Sequence, residues 1–130
     1  MKSEKSCGCV VIKNNKVLLV QQKLGNWGFP KGHVENNETE IQTAIREVKE
    51  ETNLDVIIQK EKRYETKYHI NDETLKTVIF FLATCDNTNV KPQEAEISDI
   101  EWLPFEKALD KLSFQNMKGI LKQILKNEKL

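Results

Sequence analysis

The sequence predicts an α/β domain in which a mixed β-sheet is sandwiched between α-helices. Two observations carry this prediction. Short β-rich runs alternate with helical patterns along the 130 residues, and the run at residues 78–83 is apolar on both faces, as a central strand is. Because this length is about the usual size of one domain, we expect a single domain spanning residues 1–130.

The first two strands are predicted at residues 9–12 and 17–20. Asn14 and Asn15 between them suit a tight hairpin turn, since asparagine tolerates positive φ. A loop rich in glycine, proline and aromatic residues follows at 25–32. Such loops are more often turns than sites, although the two aromatic residues invite a ligand-binding interpretation.

A helix is predicted at about residues 39–52, where apolar residues recur at the spacing of one helix face: Ile41, Ala44, Ile45 and Val48. Either Asn37 with Glu40 or Thr39 with Gln42 can cap its start, and Asn53 can end it in the left-handed conformation. Further strands are predicted at 54–58, 64–70, 77–83 and 97–103, and further helices at 104–112 and 114–126.

Charge and cysteine content restrict the function. Twenty basic and 20 acidic residues balance, so no global field favours long nucleic acids or membranes, and a polyanionic ligand must be held by local cations. The charged amino terminus leads to no segment long enough for a signal peptide or a membrane span, so we expect a cytoplasmic protein, monomeric or weakly dimeric. Cys7, Cys9 and Cys85 match no zinc spacing, and we expect reduced, structural cysteines.

The predicted helix carries three glutamates close together. Glu47, Glu50 and Glu51 fall within about 100° of one another around the helix axis. They lie more than about 120° from the apolar stripe, so we expect them to face away from the core. They are either a solvated acidic face or oxygen ligands for Mg²⁺, with Mn²⁺ as a substitute, and helical geometry alone does not choose.

The residues around these glutamates favour the metal-binding interpretation. From Gly32 the chain reads Gly-x5-Glu-x7-Arg-Glu-Val-x-Glu-Glu-x-Asn-Leu, which resembles the Nudix box, the loop-helix-loop signature of the Nudix hydrolases, at about residues 32–54. Asn53 stands where the family has glycine. Since asparagine is the usual substitute in the left-handed conformation, we expect Asn53 to cost some stability and not activity.

The resemblance implies a role for each matched residue. Glu47, Glu50 and Glu51 are expected to bind metal, with the Gly32 carbonyl as a further ligand and Glu96 as an additional carboxylate. Arg46 is expected to reach back to Glu38 and fix the loop against the helix. Glu50 or Glu51 is expected to act as the base for an attacking water, and the sequence does not separate ligand from base.

Segments outside the box are similar to the asymmetrical diadenosine tetraphosphate hydrolases: residues 27–35, 76–83 and 114–118. This likeness implies phosphate contacts for Lys31 and Lys76, with His33 nearby. It also implies an adenine clamp made by Phe80 and Phe114, although a core role for either ring is as well supported.

Three functions follow from these expectations. The first is Mg²⁺-dependent hydrolysis of diadenosine tetraphosphate to ATP and AMP. The second keeps the chemistry and takes a nucleoside triphosphate or an RNA 5′ end as substrate. The third is a nucleotide-binding module without hydrolysis, which would be expected to lose box carboxylates that this chain retains.

Overall fold

A seven-stranded mixed sheet forms the middle layer of the protein. The computed structural model describes residues 1–130. Its elements, in chain order, are β1 (Lys2–Lys13), β2 (Lys16–Gln22), β3 (Trp27–Gly28), β4 (Lys31–His33), α1 (Glu40–Thr52), β5 (Val56–Asn71), β6 (Thr74–Cys85), β7 (Ile97–Pro104), α2 (Phe105–Lys111) and α3 (Gln115–Asn127).

Strand β1 connects most of the sheet. The strand order is β3-β2-β1-β6-β5, while β4 pairs with β1 and β7 pairs with β2. The pair β1–β6 is parallel and the others are antiparallel, so the sheet is mixed as predicted. Because β1 lies between β4 and β6, side chains from these two strands meet across it.

Two apolar cores lie on opposite faces of the sheet. Val78 and Phe80 of β6 pack into one core with α3, whereas Ile79 and Phe81 pack into the other with α1. This alternation explains why residues 78–83 are apolar throughout. The predicted fold class, a mixed sheet between helices, is confirmed.

Asparagines form the predicted turns and helix end. Asn14 and Asn15 have φ of 54° and 60°, and Asn53 ends α1 with φ of 68°. Of the two proposed caps, Thr39 with Gln42 is the one formed: the Gln42 backbone N–H donates to the Thr39 hydroxyl, and the Thr39 N–H donates to the Gln42 side chain.

Two features of the strands were not predicted, whereas the state of the cysteines was. The strands expected at 54–58 and 64–70 are one long strand, β5, whose pairing with β6 shifts register between Ile58 and Arg63. The glycine-rich loop contains the short strands β3 and β4. All three cysteines are buried and free, as expected.

None of the three helices combines the length and the apolar character that a membrane crossing requires.

Candidate active site

Arg46 ties the loop before α1 to the helix itself. Its Nε and Nη2 donate to the Glu38 carboxylate at 2.7 and 2.9 Å, and Nη2 also donates to the His33 carbonyl at 2.9 Å. The hydrogen bond from Arg46 lowers the pKa of Glu38 to about 2. The predicted contact between Arg46 and Glu38 is therefore formed, and it holds β4 over the helix.

The remaining nitrogen of Arg46 neutralises two of the box glutamates. Nη1 donates to Glu47 at 3.0 Å and to Glu50 at 3.1 Å. This contact offsets the like-charge repulsion expected between carboxylates at this spacing. No group of three or more His, Cys, Asp or Glu side chains is arranged as a complete metal site.

Two of the three glutamates are buried and do not form a solvated acidic face. Glu47 and Glu51 are 9% and 5% exposed, whereas Ile45 of the predicted apolar face is 41% exposed. The reason is that β4 covers the acidic side of α1. The backbone N–H of Lys31 in β4 donates to the Glu51 carboxylate at 3.1 Å.

Burial changes the proton affinity of both glutamates. Burial, together with the nearby charge of Glu47, raises the pKa of Glu51 from 4.5 to about 8. Burial also raises the pKa of Glu47, and the contacts with Arg46 oppose that rise. Arg46 and Lys31 therefore do not fully compensate for the burial of these two carboxylates.

Gly32 packs directly against Glu47. A Cβ built at this position would overlap the carboxylate of Glu47, so that side chain would have to leave its place. A glycine at the start of the sequence motif therefore keeps the Glu47 carboxylate under β4.

Lys31 lies beside the buried glutamates, and Lys76, with His33, lies near Lys31. Burial lowers the pKa of Lys31, while Glu51 and Glu47 oppose that change. Lys76 on β6 is 5% exposed, and its ammonium lies 2.7 Å from the Ser6 hydroxyl and 3.1 Å from Nε2 of His33. The structure thus brings together Lys76 and His33, which the sequence places 43 residues apart.

The predicted clamp of Phe80 and Phe114 is wrong. Phe80 is fully buried and packs edge-on against Phe29, with ring centroids 5.2 Å apart. Phe114 is 43% exposed and lines a cavity of about 510 Å³ with Trp27, from the loop that invited a ligand-binding interpretation, and with Tyr68, which no sequence pattern indicated. Lys31 lines the same cavity.

Only part of this aromatic cavity was predictable from local sequence. The aromatic loop containing Trp27 did suggest a ligand. The Trp27 N–H donates to the Ser113 hydroxyl, and the Ser113 N–H donates to the Trp27 carbonyl. These two hydrogen bonds hold Phe114, the next residue, beside β3. Tyr68 reaches the cavity because it pairs with Lys76 in the sheet, and that register is not readable from local sequence.

Glu96 lies on the other side of Glu51. The two residues line a second cavity of about 340 Å³ between β2 and the segment before β7. The charge of Glu96 contributes to the raised pKa of Glu51. The fold therefore places Glu96 beside Glu51 on an exposed segment, and its metal-binding role stays a prediction.

The fold and this site define a Nudix protein, and comparison with known families agrees. A family model described as NUDIX domain matches residues 2–124, and the chain belongs to this family. It is accordingly a hydrolase that acts on pyrophosphate bonds.

Individual relatives narrow the comparison. The chain is 31% identical over 135 residues to the asymmetrical bis(5′-nucleosyl)-tetraphosphatase of Sus scrofa, covering 92% of this chain and 91% of that one. It superposes on a Caenorhabditis elegans Ap4A hydrolase binary complex with a TM-score of 0.86 and 27% identity, covering 97% and 98%. It is also 33% identical to mRNA-decapping enzyme subunit 2 of Saccharomyces cerevisiae over 119 residues, which cover 88% of this chain and 12% of that one.

The close packing at Gly32 predicts a stability effect. Gly32→Ala should lower the free energy of unfolding by about 1 to 3 kcal/mol, because Glu47 must leave its place. Gly119→Ala is the matched control, since nothing lies within 4 Å of a Cβ there, and this helical site should gain up to about 1 kcal/mol. Urea denaturation measures both, and equal effects of the two substitutions would contradict the packing at Gly32.

The raised pKa of Glu51 predicts how stability depends on pH in metal-free buffer. Between about pH 4.5 and 8 the folded protein keeps a proton that the unfolded chain releases, so the free energy of unfolding falls as pH rises. Glu51→Gln removes this dependence. From pH 5 to 8 the variant should therefore gain more than about 1 kcal/mol relative to wild type.

Denaturation at pH 5, 6.5 and 8 with a chelator present measures this difference. Glu94→Gln is the control, because Glu94 is exposed and should leave the wild-type profile unchanged. A constant difference between wild type and Glu51→Gln across the three pH values would show that Glu51 titrates normally.

Proposed function

We propose that the protein hydrolyses diadenosine tetraphosphate asymmetrically to ATP and AMP, with Mg²⁺ as cofactor. One observation carries this proposal. The aromatic cavity and the buried glutamates meet at Lys31, whose side chain lines the cavity and whose backbone N–H binds Glu51. A substrate with its base in the cavity thus has its phosphates beside the carboxylates. The names of the pig and C. elegans relatives support the same substrate.

The residues present fit a divalent cation. Glu47 and Glu51 are two buried, mutually repelling carboxylates with raised pKa values, and hard oxygen donors of this kind suit Mg²⁺, with Mn²⁺ able to substitute. Glu50, Glu96 and the Gly32 carbonyl would complete the set of ligands. When bound, the metal polarises a water and neutralises charge on the phosphate chain.

The protein's own groups would then position and deprotonate that water. Glu50 or Glu51 serves as the base, and the other remains a ligand. The water oxygen bonds to phosphorus as the bridging P–O bond between the first and second phosphates breaks, which leaves AMP and ATP. Arg46 holds α1 and β4 in register and does not contact the substrate.

Lys31 and Lys76 would hold the phosphate chain. Both are cations partly or wholly removed from water, where a charge-assisted hydrogen bond to a phosphate oxygen is stronger than in bulk solvent. His33, in contact with Lys76, lies beside the phosphates and binds substrate rather than catalyses.

The base would bind in the aromatic cavity. Phe114 keeps its predicted role, and Tyr68 with Trp27 takes the place of the buried Phe80. Lys111 lies 4.3 Å from the centre of the Trp27 ring and is bound by Glu101, which restrains the indole. Stacking on such rings tolerates different bases, so the phosphate chain would contribute to substrate choice.

The first functional prediction concerns products. Purified protein incubated with diadenosine tetraphosphate and Mg²⁺ should release ATP and AMP in equal amounts, as measured by anion-exchange chromatography. Glu51→Gln should lower kcat by at least about a hundredfold, because it removes a ligand or the base. Glu94→Gln is the control and should match wild type.

Other outcomes identify the alternatives. Symmetric release of ADP, or turnover without Mg²⁺, would refute the assignment. Faster release of pyrophosphate from a triphosphate or an RNA 5′ end would favour the second function, which the likeness to the yeast decapping enzyme supports and the neutral net charge does not. If Glu51→Gln changed neither turnover nor metal affinity, α1 would not be the catalytic element.

The second functional prediction concerns base binding. Phe114→Ala and Tyr68→Ala should each raise KM about tenfold, since stacking on an aromatic ring contributes roughly 1 to 3 kcal/mol. Ile70→Ala is the control, because Ile70 is exposed on the same strand as Tyr68 and does not line the cavity. Steady-state kinetics with the dinucleotide measures all three, and an unchanged KM for both aromatic variants would place the base elsewhere.

A further inference from the structure

A buried serine lies behind the proposed phosphate-binding cations. Ser6 on β1 is fully buried, and its backbone pairs with His33 of β4 on one side and Val78 of β6 on the other. Its hydroxyl accepts a hydrogen bond of 2.7 Å from the Lys76 ammonium. Ser6 does not line the aromatic cavity, so it has no direct path to a base bound there.

Lys76 has few other partners. Its ammonium lies 3.1 Å from Nε2 of His33 and 3.7 Å from the Glu4 carboxylate. Glu4 pairs with Lys76 in the sheet, but the side chain of Glu4 is 42% exposed, so its attraction is screened by solvent. Ser6 is the one hydroxyl among these partners. It is also the one that is fully buried, and its hydrogen bond with Lys76 is the shortest of the three contacts.

A buried ammonium needs hydrogen-bond acceptors, and their positions determine where its remaining protons point. An ammonium has three N–H donors. One is used by Ser6 and another faces His33. The third lies on the side of the partly exposed Glu4 carboxylate, 3.7 Å away. Its direction is set by the first two bonds, which reduces the entropy lost when the ammonium binds an anion.

We propose that Ser6 is a positioning residue that holds the Lys76 ammonium, with His33, in the orientation that binds the phosphate chain. The inference rests on the proposed role of Lys76 in phosphate binding and extends it to a residue that the sequence motif does not include. Ser6 acts through Lys76 and contacts no substrate. A serine that merely fills space on β1 would not influence nucleotide affinity through Lys76.

A double-mutant cycle tests this coupling. The variants are Ser6→Ala, Lys76→Met and the double substitution, with Ser3→Ala as matched control because Ser3 is exposed on the same strand. The readouts are KM and kcat for diadenosine tetraphosphate, and the Kd for ATP measured by calorimetry. Ser6→Ala removes only the hydroxyl oxygen, and the alanine occupies the same fully buried site, so we expect the variant to fold.

Ser6→Ala should raise KM and the Kd for ATP about tenfold, as expected for a lost hydrogen bond to a charged group, while kcat changes less than twofold. In the Lys76→Met background the same substitution should have no further effect. Ser3→Ala should match wild type in every readout.

Two results would overturn the inference. One is wild-type KM and Kd values for Ser6→Ala. The other is a loss that adds fully to that of Lys76→Met, which would show that Ser6 acts independently of Lys76. The ATP arm separates this inference from the proposed function: if the dinucleotide is not hydrolysed but ATP binding shows the coupling, the substrate assignment fails and the role of Ser6 stands.

Discussion

The burial of Glu47 and Glu51 beneath β4 is the constraint on which the rest of the site depends. Moving carboxylates out of water is costly, and the fold compensates only in part. Arg46 binds one of them and the backbone of Lys31 binds the other, yet both pKa values stay raised. The proposed divalent cation would supply the positive charge that is missing. The close approach of β4 also accounts for the glycine at position 32, where a side chain would displace the Glu47 carboxylate.

Strand β1 connects the part of the sheet that covers the glutamates to the part that supplies Lys76. It pairs with β4, which covers α1, and with β6, which supplies Lys76. The same register places Tyr68 of β5 next to Lys76. Lys31, Lys76 and Tyr68 therefore lie on three strands of one sheet, β4, β6 and β5, and the backbone of Lys31 contacts Glu51 of α1. The proposed substrate, a phosphate chain with a base at its end, would extend across these strands.

Local features of the site could be predicted from sequence because they depend on neighbours a few residues apart. The limits of α1, its Thr39 cap and the left-handed Asn53 follow from short-range rules of capping and periodicity. The contact between Arg46 and Glu38 followed from the motif. Phe80 was misassigned because its position in a family pattern says nothing about depth, and β6 is covered by a core on each face. The helix pattern did not reveal the burial of Glu47 and Glu51, since periodicity describes directions around an axis and not what covers them.

The sequence by itself determined the fold class, the family signature, and the identity of the glutamates and lysines to which we assign the chemistry in the proposed function. Only the tertiary structure decided which of them are buried, that Tyr68 and Trp27 join Phe114, and that Ser6 lies against Lys76. The physical reason is how far apart in the sequence the interacting residues lie. Helix periodicity and caps are encoded over a few residues, whereas strand register and burial arise from pairings such as that of Ser6 with Lys76, 70 residues apart, which form only when the whole sheet assembles.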